Sequence, residues 1–150
     1  MTSKVLAGTA LALMTAFPAS AEGLVSKPSP YPVAETVDRL VTVVEGAGAR
    51  VIARLDHQKN AASINAALRP TQVLIFGDPK LGTPVMQMAQ TAGIDLPQRV
   101  VVLENESGNV VLNYYSAEHL AALHGLDPTA PEIQKINAAL GKLTDAALAP

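Results

Sequence analysis

Two β-branched runs, Arg99–Glu104 and Val110–Tyr115, are separated by five polar residues, Asn105–Asn109, that include Ser107-Gly108. A connection this short joins antiparallel strands only, because a parallel crossover needs a dozen or more residues. The chain is therefore committed to a hairpin, and a purely parallel sheet is excluded. The other strands are read around that hairpin. Val73-Leu74-Ile75-Phe76 is a continuous apolar run, the mark of a strand buried on both faces. Ala49–His57 alternates, with Val51, Ala53, Leu55 and His57 on one face and Ile52, Arg54 and Asp56 on the other. Gly23–Pro28 suits a short edge strand, ended by Pro28 and Pro30.

Helical periodicity fills the gaps. Val33, Val37, Leu40, Val41 and Val44 fall on one helical stripe, with Pro32 at its start and Gly46 and Gly48 at its end. Ala-rich Lys59–Leu68 predicts a short helix before Arg69-Pro70. Gly77–Gly82 reads as a loop, with Thr83 as N-cap and Pro84 at the first position of a helix running to Gly93. Ser116 caps a short helix to His124. Thr129-x-x-Glu132 forms a capping-box pattern before the stripe Ile133, Ile136, Leu140 and Leu143. This order predicts an α+β fold, a mostly antiparallel sheet with helices on one face.

Residues 1–21 are read separately. Lys4, the apolar run Val5–Phe17 and small residues at Ala19 and Ala21 make a secretory signal peptide, with cleavage expected after Ala21. The run is too short for a bilayer span of about 20 residues. Residues 22–150 then form a single domain in a bacterial periplasm or secreted, with no later membrane span. Zero cysteine suits that compartment and excludes disulfides, thiol catalysis and cysteine-held metal. The net charge of -2 gives no basic footprint for nucleic acid, and 3% aromatic content gives few stacking platforms. Asn105-Glu106-Ser107 matches a glycosylation pattern but reads here as a polar hairpin.

Three sets of residues could carry chemistry. His57, on the expected inward face at a strand end, could act as general acid or base, proton sensor or ligand, or be a hydrogen-bonded core histidine. The block Phe76-Gly77-Asp78-Pro79-Lys80-Leu81-Gly82-Thr83 leaves a strand and enters a helix. Free amides at that helix start, with Lys80 beside them, could hold a carboxylate or phosphate, or the block could be turn chemistry alone. Tyr114 could reach a ligand or pack with its hydroxyl bonded. His119 and His124 are five apart and diverge by about 140° on a helix, so they cannot chelate as a pair. His57 with His124 and a carboxylate remains open in three dimensions. No metal and no cofactor are expected, because no ligand spacing is present.

Several segments together resemble the domain-of-unknown-function 302 family. They are Gly23-Leu24-Val25, Leu55-Asp56-His57, Leu68-Arg69-Pro70-Thr71, Phe76 through Met86, Asp95-Leu96-Pro97, and Tyr114 with His124-Gly125-Leu126. They run in family order over residues 23–126, and the Phe-Gly-x-Pro-Lys-x-Gly-Thr-Pro-x-Met block is the specific part. The resemblance implies a TATA-binding-protein-like β-α-β4-α order and a homodimer, and it carries no mechanism. Asp78 stands where the family usually has Asn, and His119 where Tyr is common. The expectation is a dimeric exported binding or accessory module for a small, perhaps anionic ligand held near His57, the 76–83 block, Tyr114 and His124. The rivals are an enzyme using His57 as acid or base with Lys80 and loop amides, and a purely structural interaction module.

Overall fold

The computed structural model describes residues 22–150, so the signal-peptide reading lies outside the described residues. Five strands form one sheet: β1 (Leu24–Ser29), β2 (Arg50–Asp56), β3 (Thr71–Gly77), β4 (Gln98–Glu104) and β5 (Val110–Tyr115). Their order is β1-β5-β4-β3-β2 and each pairing is antiparallel. The helices are α1 (Val33–Gly46), α2 (His57–Ala62), α3 (Pro79–Met88), α4 (Ala117–Leu123) and α5 (Pro131–Leu148), with a 3-10 turn over Gln90–Ile94. This is the expected α+β class.

The core lies between one sheet face and the helices. Leu74, Phe76, Val100, Val102, Leu112 and Tyr114 alternate inward along β3, β4 and β5. Val37, Leu40 and Val44 of α1 and Ile133, Ile136 and Leu140 of α5 meet them. Burying one such side chain contributes about 1.5–3 kcal/mol. The hairpin forms as expected, with Asn105 Oδ1 accepting from the amides of Ser107 and Asn109 at 3.0 Å each. Pro28 sits on β1, an edge strand, where its missing N–H costs no ladder bond. Lys27 ties β1 to α5, its Nζ 2.6 Å from Asp145 Oδ1 and 2.7 Å from Thr144 Oγ1.

Five local expectations are corrected. First, β2 carries a register shift between Val51 and Ala53. One extra residue turns the following side chains over, so Leu55 pairs with Val73 on the outer face and is 41% exposed. The strand ends at Asp56, and His57 opens α2 instead of closing an inward-facing row. Second, the helix expected over 59–68 is only His57–Ala62, because the Asp56 carboxylate accepts from the Lys59 amide and sets its start.

Third, α3 begins at Pro79 and ends at Met88, short of Gly93. Asp78 is its N-cap, its side chain accepting from the Lys80 amide at 2.9 Å, and Thr83 and Pro84 lie inside the helix. Fourth, Thr129 does not cap α5. Asp127 Oδ1 takes both its amide, at 2.8 Å, and its hydroxyl, at 2.7 Å, and Pro131 at the first turn places the cap at Ala130. Fifth, Val73 and Ile75 are half-buried while Leu74 and Phe76 are buried, so β3 has one core face, not two.

Candidate functional site

The corner where β3 turns into α3 opens onto a cavity of about 400 Å³. Phe76, Gly77 and Asp78 bring the chain to it, and Leu81, Gly82, Thr83 and Met86 of α3 form one wall. Ile136, Ala139, Leu140 and Leu143 of α5 form the facing wall, and Leu96-Pro97-Gln98 closes the end nearest β4. Ala49, Arg50 and Ile52 supply the β2 side, where the register shift leaves Ile52 60% exposed at the rim. The size and the apolar lining are those of a small-molecule pocket.

The polar groups at this site are few. The Asp78 carboxylate and carbonyl take the first free amides of α3: Lys80 on the side chain, Leu81 and Gly82 on the carbonyl at 2.9 and 3.0 Å. A carboxylate already occupies the positive end of the helix, so a second anion there would meet a like charge. Lys80 is exposed, does not line the cavity, and makes no ion pair among the described residues. Arg50, exposed at the start of β2, also borders the cavity and makes no ion pair among the described residues.

Gln98 differs from these. It pairs with Phe76 and shares the inward parity of Val100 and Val102. Its Nε2 is buried and has no hydrogen-bond partner among the described residues. A buried donor left without an acceptor costs about 1–3 kcal/mol.

The structure brings Phe76, Gly77, Asp78, Gly82 and Thr83 to one cavity, and it does not bring His57, Lys80, Tyr114 or His124 there. His57 follows Asp56, which pairs with Gln72, whereas the cavity lies beyond the Arg50–Gly77 pair at the other end of the same two strands. Seven strand residues span about 23 Å. Tyr114 is buried in the core, with Lys27 Nζ 5.8 Å from its ring centroid. Its neighbour Tyr115 turns outward and stacks on His119, centroids 4.6 Å apart. Gly23 packs under that histidine at φ +77, and a Cβ there would lie 2.4 Å from His119 Cβ.

His124 is a structural tie. Its Nε2 lies 2.8 Å from Asp95 Oδ2 and its Nδ1 3.0 Å from Thr91 Oγ1, while Arg99 Nη2 reaches Asp95 Oδ1 at 2.9 Å. The group joins the 3-10 turn, the start of β4 and the end of α4. Among the described residues no three His, Asp or Glu side chains could hold a metal ion. Sequence reasoning missed Gln98, Leu96 and the α5 wall, since each looks like an ordinary strand or core residue.

A family model described as "Domain of unknown function DUF302" matches residues 25–147. The chain belongs to this family. A solved structure of an uncharacterized conserved DUF302 protein from Bacillus stearothermophilus shares the fold, with a TM-score of 0.69 at 19% identity, covering 85% of this chain and 97% of that one. Curated relatives are also similar. A protein named fluoride-specific ion channel FluC 1 from Brucella suis is 39% identical over 104 residues, which is 69% of this chain and 41% of that protein. Its namesake in Brucella abortus is 39% identical over the same length, 38% of that protein. The match thus spans about two-fifths of these relatives, and no helix among the described residues of this DUF302 chain is long and apolar enough to cross a membrane.

Proposed function

We propose that this DUF302 protein is an exported, dimeric module that binds a small, largely apolar molecule in the cavity between α3 and α5. The observation that carries this reading is the cavity itself, built around the most specific block of the sequence, Phe76–Met86. Export rests on the pattern of residues 1–21. The dimer rests on the outer sheet face, where Leu55, Val73, Val101, Leu103 and Val111 gather beside the exposed ring of Tyr115. Native mass spectrometry of protein purified gently from its own host tests the reading. The expected result is a dimer with an added non-protein mass that is lost in Gly82→Leu, whose side chain fills the cavity. A wild-type protein that never retains or takes up an apolar molecule there would overturn it.

The Brucella matches favour a second reading, an accessory role beside a membrane ion channel. In those relatives a segment like this domain occupies only part of a protein named as a fluoride channel. Joining two modules in one chain raises their effective concentration to the millimolar range, which is useful where they act together. Co-purification of this protein with a fluoride channel from the same host, lost on breaking the outer sheet face with Val101→Glu, would support it. Fluoride tolerance unchanged on deletion of the gene would count against it.

A further inference from the structure

We infer that a second site, in the gap where β4 and β5 part, binds a small carboxylate through Asn113 Nδ2 and the Arg99 guanidinium. It stands apart from the role proposed for the cavity between α3 and α5. The ladder between β4 and β5 ends at Val101–Asn113, although β4 runs back to Gln98 and β5 on to Tyr115. Each strand stays with its other neighbour there, β4 with β3 and β5 with β1, so the sheet splits. A cavity of about 380 Å³ lies in the split, with Val73, Val101 and Leu123 among its apolar walls and buried Tyr114 and Leu120 behind them.

Free donors and engaged acceptors meet in this cavity. Asn113 borders it and is only 8% exposed. Its Oδ1 accepts from the hydroxyl of Ser26, the residue opposite it on β1, which turns Nδ2 toward β4. That Nδ2 donates to nothing among the described residues, yet it is not sealed off as Gln98 Nε2 is. Since Val101 lies opposite Asn113, Arg99 is the diagonal neighbour of Asn113 on the same face, within reach of a long side chain. Arg99 gives Nη2 to Asp95 Oδ1 and keeps its other N–H groups free among the described residues. Asp95 is the one carboxylate lining the cavity among those residues, and both its oxygens are taken, by Arg99 and by His124. A ligand that satisfies this lining must therefore accept hydrogen bonds. A guanidinium beside a buried amide favours a charged acceptor, because charge-assisted bonds are roughly twice as strong as neutral ones. The apolar walls take the hydrocarbon part of the acid. Val73 and Val101 also lie on the face proposed for the dimer, so a bound acid would be enclosed by the second copy.

Benzoate and benzamide, an acid and a neutral amide of one shape, test this by titration into the isotopically labelled protein. The reporters are the Asn113 side-chain amide and Arg99 Nε–H in the split, and the backbone amides of Gly82 and Met86 for the cavity between α3 and α5. Benzoate is expected to move the first pair. It should bind about tenfold more tightly than benzamide, the difference between a hydrogen bond to a charged group and one to a neutral group. Arg99→Gln, at a half-exposed position, should remove that preference. Asn113→Asp keeps the acceptor for Ser26 and puts a carboxylate where the donor was. It should abolish benzoate binding and spare benzamide, whose own N–H groups can donate to it. Equal binding of acid and amide by the wild-type protein overturns the inference, as does a preference for the acid that survives Arg99→Gln. Shifts confined to Gly82 and Met86, or no shifts at all, overturn it too, and the former leaves the cavity between α3 and α5 as the binding site.

Discussion

Replacing Gly82 with alanine is expected to make the protein more stable and a poorer binder. Gly82 is the fourth residue of α3, inside regular helix, where glycine costs about 0.5–1 kcal/mol relative to alanine. Its φ is not in the left-handed region, so alanine adopts the same backbone. The added Cβ would meet Leu96 Cδ1 at 3.8 Å and Met86 Cε at 4.0 Å, ordinary contact distances, so no strain offsets the gain. The net change is about 1 kcal/mol, which for a domain of this size raises Tm by about 4 °C. Thermal melts followed by far-UV circular dichroism, at equal protein concentration, measure it. The methyl group also projects beside two residues that line the cavity, so an apolar ligand should bind severalfold more weakly. A lowered Tm would refute the reasoning, because it would mean that α3 needs a bare backbone there for packing and not for cavity space. Gly77→Ala is the contrasting case, since its Cβ would lie 3.0 Å from Pro97 Cβ and something must shift.

Removing the α3 cap with Asp78→Ala should cost about 1 kcal/mol in guanidinium unfolding, whereas Asp78→Asn, which restores the residue usual in the family, should cost almost nothing because asparagine caps equally well. The Lys59 amide holds the Asp56 carboxyl below the usual carboxylate range, and the Thr129 hydroxyl and amide do the same for Asp127. For a depressed carboxyl the contribution is complete above the unfolded value and is lost as pH falls through the folded one. Stability should therefore drop on acidification through and below the usual carboxylate range, and the double variant Asp56→Asn, Asp127→Asn should flatten that limb of the urea-midpoint profile. His124→Ala leaves Asp95 and Thr91 without one partner each and should destabilise by about 1–3 kcal/mol, without changing the binding of apolar ligands at the cavity.

The sheet was legible because its signals are local and redundant. A five-residue polar connection forces a hairpin, whereas the unbroken apolar run of β3 hid its parity, because Val73 and Ile75 on the outer face are as apolar as Leu74 and Phe76 on the inner one. The β2 face was misread for a reason no alternation pattern reveals: one extra residue between Val51 and Ala53 inverts everything after it. The start of α3 was misplaced because two capping patterns compete within six residues. Asp78-Pro79 and Thr83-Pro84 each offer a capping side chain followed by proline, and either proline fits a first helical turn. The upstream pair nucleates the helix, and Pro84 is then tolerated inside it.

The same shift of five residues changed the chemistry of the site. A helix beginning at Pro84 would have offered Lys80 and free amides to an anion. A helix beginning at Pro79 has its amides taken by Asp78 and turns Leu81, Gly82 and Met86 toward α5 as an apolar wall. That wall could not be singled out from sequence, because the residues that line an apolar pocket are the residue types that fill a core. What separates pocket from core here is a gap in packing between α3 and α5, which exists only once the helices are placed. The family block Phe76–Met86 drew attention for its amides and Lys80; in the structure its glycines and prolines shape a corner, and the space that the corner leaves open is the cavity.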